Sequence, residues 1–126
     1  MRILLADDNS EVRMALRLIL EHSSEHEVIA EADHVVRLLN LAAQHCPEVL
    51  LLDSELNGLK PCRDDRGLSE LLQTLKMICP TVMIALLCSG QVSIKETWSG
   101  QVHAVFCKND PPDNLLAWLA NLAGPN

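Results

Sequence analysis

Tyrosine is absent from this 126-residue chain, phenylalanine occurs once and tryptophan twice. With Phe106, Trp98 and Trp118 as the only aromatics, there is no platform on which single-stranded nucleic acid could stack successive bases. Basic residues are also few. Ten Lys and Arg against 17 Asp and Glu leave a net charge of −7, the wrong sign for gripping a phosphate backbone. No stretch reaches the roughly 18 apolar residues that a membrane span needs. Nor does the N-terminus read as a signal peptide, because acids follow its short apolar run at Asp7. The five cysteines (Cys46, Cys62, Cys79, Cys88, Cys107) include no CxxC pair and are too sparse for a secreted disulfide scaffold, so they read as reduced thiols. His22, His26, His34, His45 and His103 lack ligand spacing, which argues against a transition-metal site. Together these absences lead us to expect a cytoplasmic protein with no membrane contact.

What the chain does have is aliphatic residues. Apolar types make up 48% of it, and a chain this long can bury roughly two-thirds of its unfolded surface in one core, so residues 1–126 read as a single domain. The central stretch is Val49-Leu50-Leu51-Leu52-Asp53, which then turns through Ser54-Glu55-Leu56-Asn57-Gly58. A continuous apolar run without alternation suits a strand buried on both faces of a parallel sheet. Arg2-Ile3-Leu4-Leu5-Ala6, Val28-Ile29-Ala30, Val82 to Leu87 and Val102 to Cys107 read as four further strands.

Helical stripes separate the strands. Val12, Ala15, Leu16, Ile19 and Leu20 follow a cap at Asn9 or Ser10; Val35, Leu38, Leu39 and Ala42 precede Pro47; Leu68, Leu71, Leu72, Leu75 and Ile78 precede Pro80. Val92, Ile94 and Trp98 suggest a weak fourth helix, and a last one begins near Pro111-Pro112 and runs through Leu115, Leu116, Leu119 and Leu122. The stretch 59–67 is polar and interrupted by Pro61 and Gly67, long for a strand-to-helix turn of about 2–6 residues, and Arg63-Asp64-Asp65-Arg66 within it reads as solvated loop. Alternating β and α repeated five times implies an α/β fold. It is a three-layer, doubly wound, five-stranded parallel sheet with right-handed crossovers.

In such a sheet ligands bind at the carboxyl ends of the strands. Asp7 and Asp8 close the first strand, Asp53 the third and Lys108 the fifth, so three carboxylates and one ammonium meet on one rim. Crowded carboxylates repel unless a cation or proton intervenes. Mg²⁺, which prefers oxygen ligands and keeps several waters, fits Asp8, Asp53 and a backbone carbonyl, with Asp7 holding a bound water. A carboxylate beside such a metal can attack a phosphoryl group while metal and lysine offset the charge. Asp53 is then the nucleophile and Lys108 the clamp.

The segments Ala6-Asp7-Asp8-Asn9, Leu51 through Gly58, and Phe106-Cys107-Lys108-Asn109-Asp110-Pro111-Pro112-Asp113-Asn114-Leu115-Leu116 together resemble the receiver domain of two-component response regulators. The resemblance runs the whole chain in order, and the last segment is similar to receivers that precede a helix-turn-helix DNA-binding output domain, which lies outside these residues. It implies strand order 2-1-3-4-5. It also implies phosphoryl transfer to Asp53 from a sensor histidine kinase or a small phosphodonor, with Mg²⁺ held by Asp7, Asp8, Asp53 and the backbone of Glu55. The chain would then be a signalling phosphoacceptor and no enzyme beyond self-catalysed phosphotransfer and autodephosphorylation. It would relay the modification through partner binding or homodimerisation, contact DNA only through an output domain, and control transcription.

Three departures fall on the switch. The Ser or Thr that ends strand four in the family lands on Leu87 counted from Pro80, and on Cys88, with Ser89 next, counted back from Lys108; only Cys88 and Ser89 carry a polar hydrogen. The aromatic usual on strand five corresponds to Val105. The proline usual four residues after the phosphoacceptor is Asn57. These departures keep open a degenerate pseudo-receiver, serving as a phosphorylation-independent interaction or dimerisation module. An unrelated Mg²⁺-dependent phosphohydrolase is a weaker alternative, lacking a pocket motif or a base besides the acids. In the implied strand order Cys88 and Cys107 end neighbouring strands, which makes them a candidate redox pair.

Overall fold

A computed structural model describes residues 1–59, 66–89 and 100–124. The elements in order are β1 (Arg2–Ala6), α1 (Ser10–Glu21), β2 (Glu27–Ala32), α2 (Val35–His45), β3 (Val49–Asp53), α3 (Arg66–Ile78), β4 (Met83–Cys88), β5 (Ala104–Cys107) and α4 (Asp113–Leu122). The weak helix read at Val92, Ile94 and Trp98, and most of the 59–67 stretch including Cys62, lie outside the described residues.

All strands are parallel, in the order β2-β1-β3-β4-β5. The continuous apolar runs are explained by the two faces they serve. In β3, Leu50 and Leu52 face one core with Leu38 and Ala42 of α2 and Leu68, Leu71, Leu72 and Leu75 of α3. Val49 and Leu51 face the other, with Leu20 of α1 and Leu115 and Leu119 of α4. Alternate side chains of one strand point to opposite faces, so a strand covered on both sides has no polar position to spare. Both faces have helices packed on them, and the sheet is the middle of three layers.

Local chemistry sets the helix ends. Asn9 Oδ1 accepts the Glu11 and Val12 N–H groups at 2.9 and 3.3 Å, capping α1. His34 does the same for α2 through Nδ1, which accepts the Val36 N–H at 3.1 Å. The turn after β3 is tied to the start of α2, where the Val35 N–H reaches the Asn57 carbonyl at 2.9 Å. Gly58 is required there: its φ is +96°, and an added Cβ would stand 2.9 Å from His34 Cε1.

Three strands differ from their sequence reading, β4 by one residue at each end, running Met83–Cys88 rather than Val82 to Leu87. β2 extends to both sides of the apolar triplet, from Glu27 to Ala32, because an edge strand can carry charge. Glu31 uses that freedom to accept Arg13 at 3.1 Å and Arg17 at 2.7 Å. β5 begins at Ala104 rather than Val102. His103 donates its backbone N–H to Ile84 at 2.8 Å, but the Ile84 N–H goes to the His103 ring Nδ1 at 3.1 Å. A side chain thus takes the place of a ladder carbonyl there.

Leu50 is 1% exposed and Met77 82% exposed. Leu50→Ala should lower the free energy of unfolding by about 2–5 kcal/mol in urea denaturation, whereas Met77→Ala should change it by no more than about 0.5 kcal/mol; comparable losses at both positions would contradict the two-face core.

Candidate phosphoacceptor site

Parallel strands end in register, so β1, β3 and β5 deliver their last residues to one edge. Asp7 follows β1 and its backbone N–H is held by the Ala32 carbonyl at 3.0 Å. Asp53 is the last residue of β3, opposite Leu87 of β4. Lys108 follows β5, its N–H donating to the Cys88 carbonyl at 2.7 Å.

These placements bring together the residues singled out in the sequence. Asp7, Asp8 and Asp53 each present a carboxylate oxygen within 4.8 Å of the others. Asp7 and Asp53 are buried and Asp8 is exposed. Lys108 Nζ lies 2.8 Å from Asp7 Oδ2 and 3.2 Å from Asp53 Oδ2. The other Asp53 oxygen, Oδ1, accepts the Glu55 backbone N–H at 3.0 Å, which brings the Glu55 main chain against the carboxylate.

The electrostatics are those of a crowded anionic site. Burial pushes the Asp53 carboxyl above its ordinary value; the Glu55 N–H opposes that, the Asp7 charge adds to it, and Lys108 counteracts it. Burial works against the Lys108 charge, but hydrogen bonds and attraction from Asp7 and Asp53 prevail and hold its pKa above that of an ordinary lysine. One ammonium offsets one of three carboxylates. The remaining negative charge, an all-oxygen donor set and one acid open to solvent suit a hard, hydrated divalent cation such as Mg²⁺.

The structure also separates the residues at the end of β4. Leu87 is buried in the core beneath α1 and α4. Ser89 is exposed, its carbonyl accepting Asn109 Nδ2 at 3.3 Å. Cys88, 1% exposed, is the one beside the acids. Burial raises its thiol pKa, a hydrogen bond with Ser54 lowers it, and the Asp53, Cys107 and Glu55 charges raise it further. Cys88 and Cys107 are direct register partners. Val105 is partly buried against the core beneath α2 and α3.

Arg13 was not legible as part of this site. Its guanidinium donates to the Asp7 carbonyl and to Glu31, bracing the end of β1 from α1; in the sequence it is an ordinary polar helix position. On the same side an apolar groove of about 300 Å³ opens between α1 and α4 beside Lys108, with Leu16, Ile19, Phe106 and Leu115 among its walls. Phe106 meets Trp118 edge to face, with centroids 5.9 Å apart. Among the described residues no helix is long and apolar enough to cross a membrane.

No family model matches the chain. Individual relatives do. The chain is 34% identical over 83 residues to the transcriptional regulatory protein LiaR of Bacillus subtilis, a match covering 66% of this chain and 39% of LiaR. It therefore spans well under two-thirds of that relative. Among solved structures, the signal receiver domain of NarL from Mycobacterium tuberculosis superposes with a TM-score of 0.79 at 18% identity, covering 97% of this chain and 94% of that one. The isolated REC domain of RcsB from Salmonella enterica serovar Typhimurium, in the presence of phosphomimetic BeF3-, superposes with a TM-score of 0.77 at 23% identity, covering 97% and 87%. The chain thus has the fold of these receiver domains, and over 83 residues its sequence is similar to that of a transcriptional regulatory protein.

Proposed function

We propose that Asp53 accepts a phosphoryl group from a sensor histidine kinase or a small phosphodonor, and that the chain relays this modification as a change in partner binding or dimerisation that controls transcription. The observation that supports it best is the ammonium of Lys108 lying within 3.2 Å of both buried carboxylates, Asp7 and Asp53. A partly buried lysine held charged between two acids is poised to follow new negative charge appearing on either.

In this reading Asp7, Asp8, Asp53 and the backbone of Glu55 hold Mg²⁺. Such a cation, when bound, would supply positive charge to offset that on the transferring phosphoryl oxygens. The protein's own residues do the rest. An Asp53 carboxylate oxygen attacks phosphorus as the bond to the donor breaks, the Glu55 N–H fixes the rotamer of the carboxylate, and Lys108 pairs with the added charge. DNA contact belongs to parts of a whole regulator beyond these residues. The chain acts as a phosphoacceptor rather than as an enzyme with a substrate of its own.

Cys88 favours a second reading, a pseudo-receiver that binds partners without phosphorylation. It follows Leu87, the register partner of Asp53, its thiol feels the Asp53 charge, and a thiol is a weaker hydrogen-bond donor than the hydroxyl usual in the family. Burial raises its pKa and keeps it protonated, so it offers only that weak S–H to a phosphoryl oxygen.

Incubation with acetyl phosphate and Mg²⁺ should add the mass of one phosphoryl group to the wild-type chain and none to Asp53→Asn or to a sample with chelator; absence of the adduct in all three favours the pseudo-receiver. Asp8→Asn, exposed and outside the Lys108 contacts, should weaken Mg²⁺ binding at least about tenfold by calorimetric titration while unfolding within about 0.5 kcal/mol of wild type. The raised Asp53 pKa carries a sign. Above that value the native carboxylate is charged at a cost, and below the ordinary 3.8 it is protonated whether folded or not, so the cost disappears. Asp53→Asn should therefore raise the melting temperature near neutral pH, and the gain should shrink as pH falls toward 3.8; a pH-independent gain would refute the assignment of strain to that charge.

A further inference from the structure

We propose that Cys46 and Cys79 form a redox-active pair, whose thiols close into a disulfide tying the end of α2 to the end of α3. The pair sits at the edge of the sheet where β3 and β4 begin, opposite the carboxylate rim. Its geometry converges on one atom. The Ala42 carbonyl oxygen accepts the Cys46 backbone N–H at 2.9 Å and the Cys79 thiol at 3.2 Å.

Three further observations point the same way. Cys46 is the one non-glycine among the described residues with a left-handed backbone, φ 44°. A helix ending in that conformation ordinarily has Gly or Asn there, so capping alone does not account for a cysteine in a costly conformation. Neither residue sits on a loose segment. Arg2 holds the His45 and Cys46 carbonyls at 2.7 and 3.2 Å, and the Cys79 N–H is bound to Leu75 at 2.8 Å. Finally, their exposures are complementary: Cys46 is open to solvent and Cys79 only 4% exposed. An external oxidant meets Cys46 first, and Cys79 waits behind it. Burial, then hydrogen bonding and charge from Cys46, push the Cys79 thiol up to about 11, in keeping with two sulfurs facing each other.

The oxidant is a low-molecular-weight disulfide. The Cys46 thiolate attacks one of its sulfurs, its S–S bond breaks, and one small thiol leaves with a proton. Cys79 then loses its proton and attacks the Cys46 sulfur, releasing the second small thiol and completing the Cys46–Cys79 bond. Two protein thiols are oxidised and one small disulfide is reduced to two thiols.

The test is treatment of the native chain with excess oxidised glutathione, followed by alkylation, proteolysis and mass mapping. Wild type should yield a peptide cross-linked between Cys46 and Cys79, with no lasting glutathione adduct on Cys46. Cys79→Ser should stop at that adduct, and Cys46→Ser should leave Cys79 reduced. The oxidised wild type should melt roughly 10 °C higher than the reduced form, as a cross-link closing a loop of this length predicts. A persistent adduct on Cys46 in the wild type, a cross-link joining Cys88 and Cys107 instead, or no oxidation at all would each overturn the proposal. Because the readout is sulfur chemistry away from Asp53, it stands or fails separately from phosphoryl acceptance.

Discussion

Two carboxylates buried side by side at the end of a hydrophobic sheet would drive the chain apart were it not for one ammonium between them. Lys108 Nζ, 2.8 Å from Asp7 and 3.2 Å from Asp53, is that restraint. Burying an ion is expensive, and taking the ammonium away would leave two buried carboxylates facing each other unpaired. The acids and the lysine therefore form a coupled set that cannot be varied singly without consequence. Holding it requires three strands to end in register, and that in turn requires a sheet so completely apolar beneath that no polar side chain competes for the space.

The rest of the fold follows from this demand. The pairing of Ala6 with Leu52 and of Asp53 with Leu87 fixes the heights of the acids, and Cys88 opposite Cys107 fixes that of Lys108. Arg13 braces the end of β1 through the Asp7 carbonyl, while the link from Val35 to Asn57 and the left-handed Gly58 shape the turn that follows Asp53. Charge remains unbalanced even so, and burial, with the Asp7 charge adding to it, raises the Asp53 pKa. A site that stays strained until further positive charge arrives is suited to a cation and to a reaction that brings one with it.

Much of this was written in the sequence because burial on two faces leaves an unmistakable mark. The unbroken aliphatic runs at residues 3–6 and 49–52 identified strands that the structure reproduces, and their terminal acids identified the rim. Less was legible where the governing contact is tertiary. Glu27 and Glu31 hid the full length of β2, since only the neighbouring Arg13 and Arg17 show why charge is tolerated there. Counting from Pro80 and counting from Lys108 gave different ends for β4, and only the ladders on its two sides, Asp53 with Leu87 and Cys88 with Cys107, fix that end at Cys88. Strand order came from family resemblance rather than periodicity. Cys46 and Cys79 gave no signal at all, because nothing in their spacing says that one helix carbonyl will receive both.

The central claim is that Asp7, Asp8, Asp53 and Lys108 act together as one receptacle for a divalent cation and a phosphoryl-like group. Fluorine NMR of the chain with Mg²⁺ and beryllofluoride tests it most directly. The account predicts protein-bound fluoride resonances that appear only with Mg²⁺, disappear in Asp53→Ala, and weaken when Lys108 is replaced by methionine. Bound resonances that persist in Asp53→Ala, or none in the wild type at saturating Mg²⁺, would contradict it.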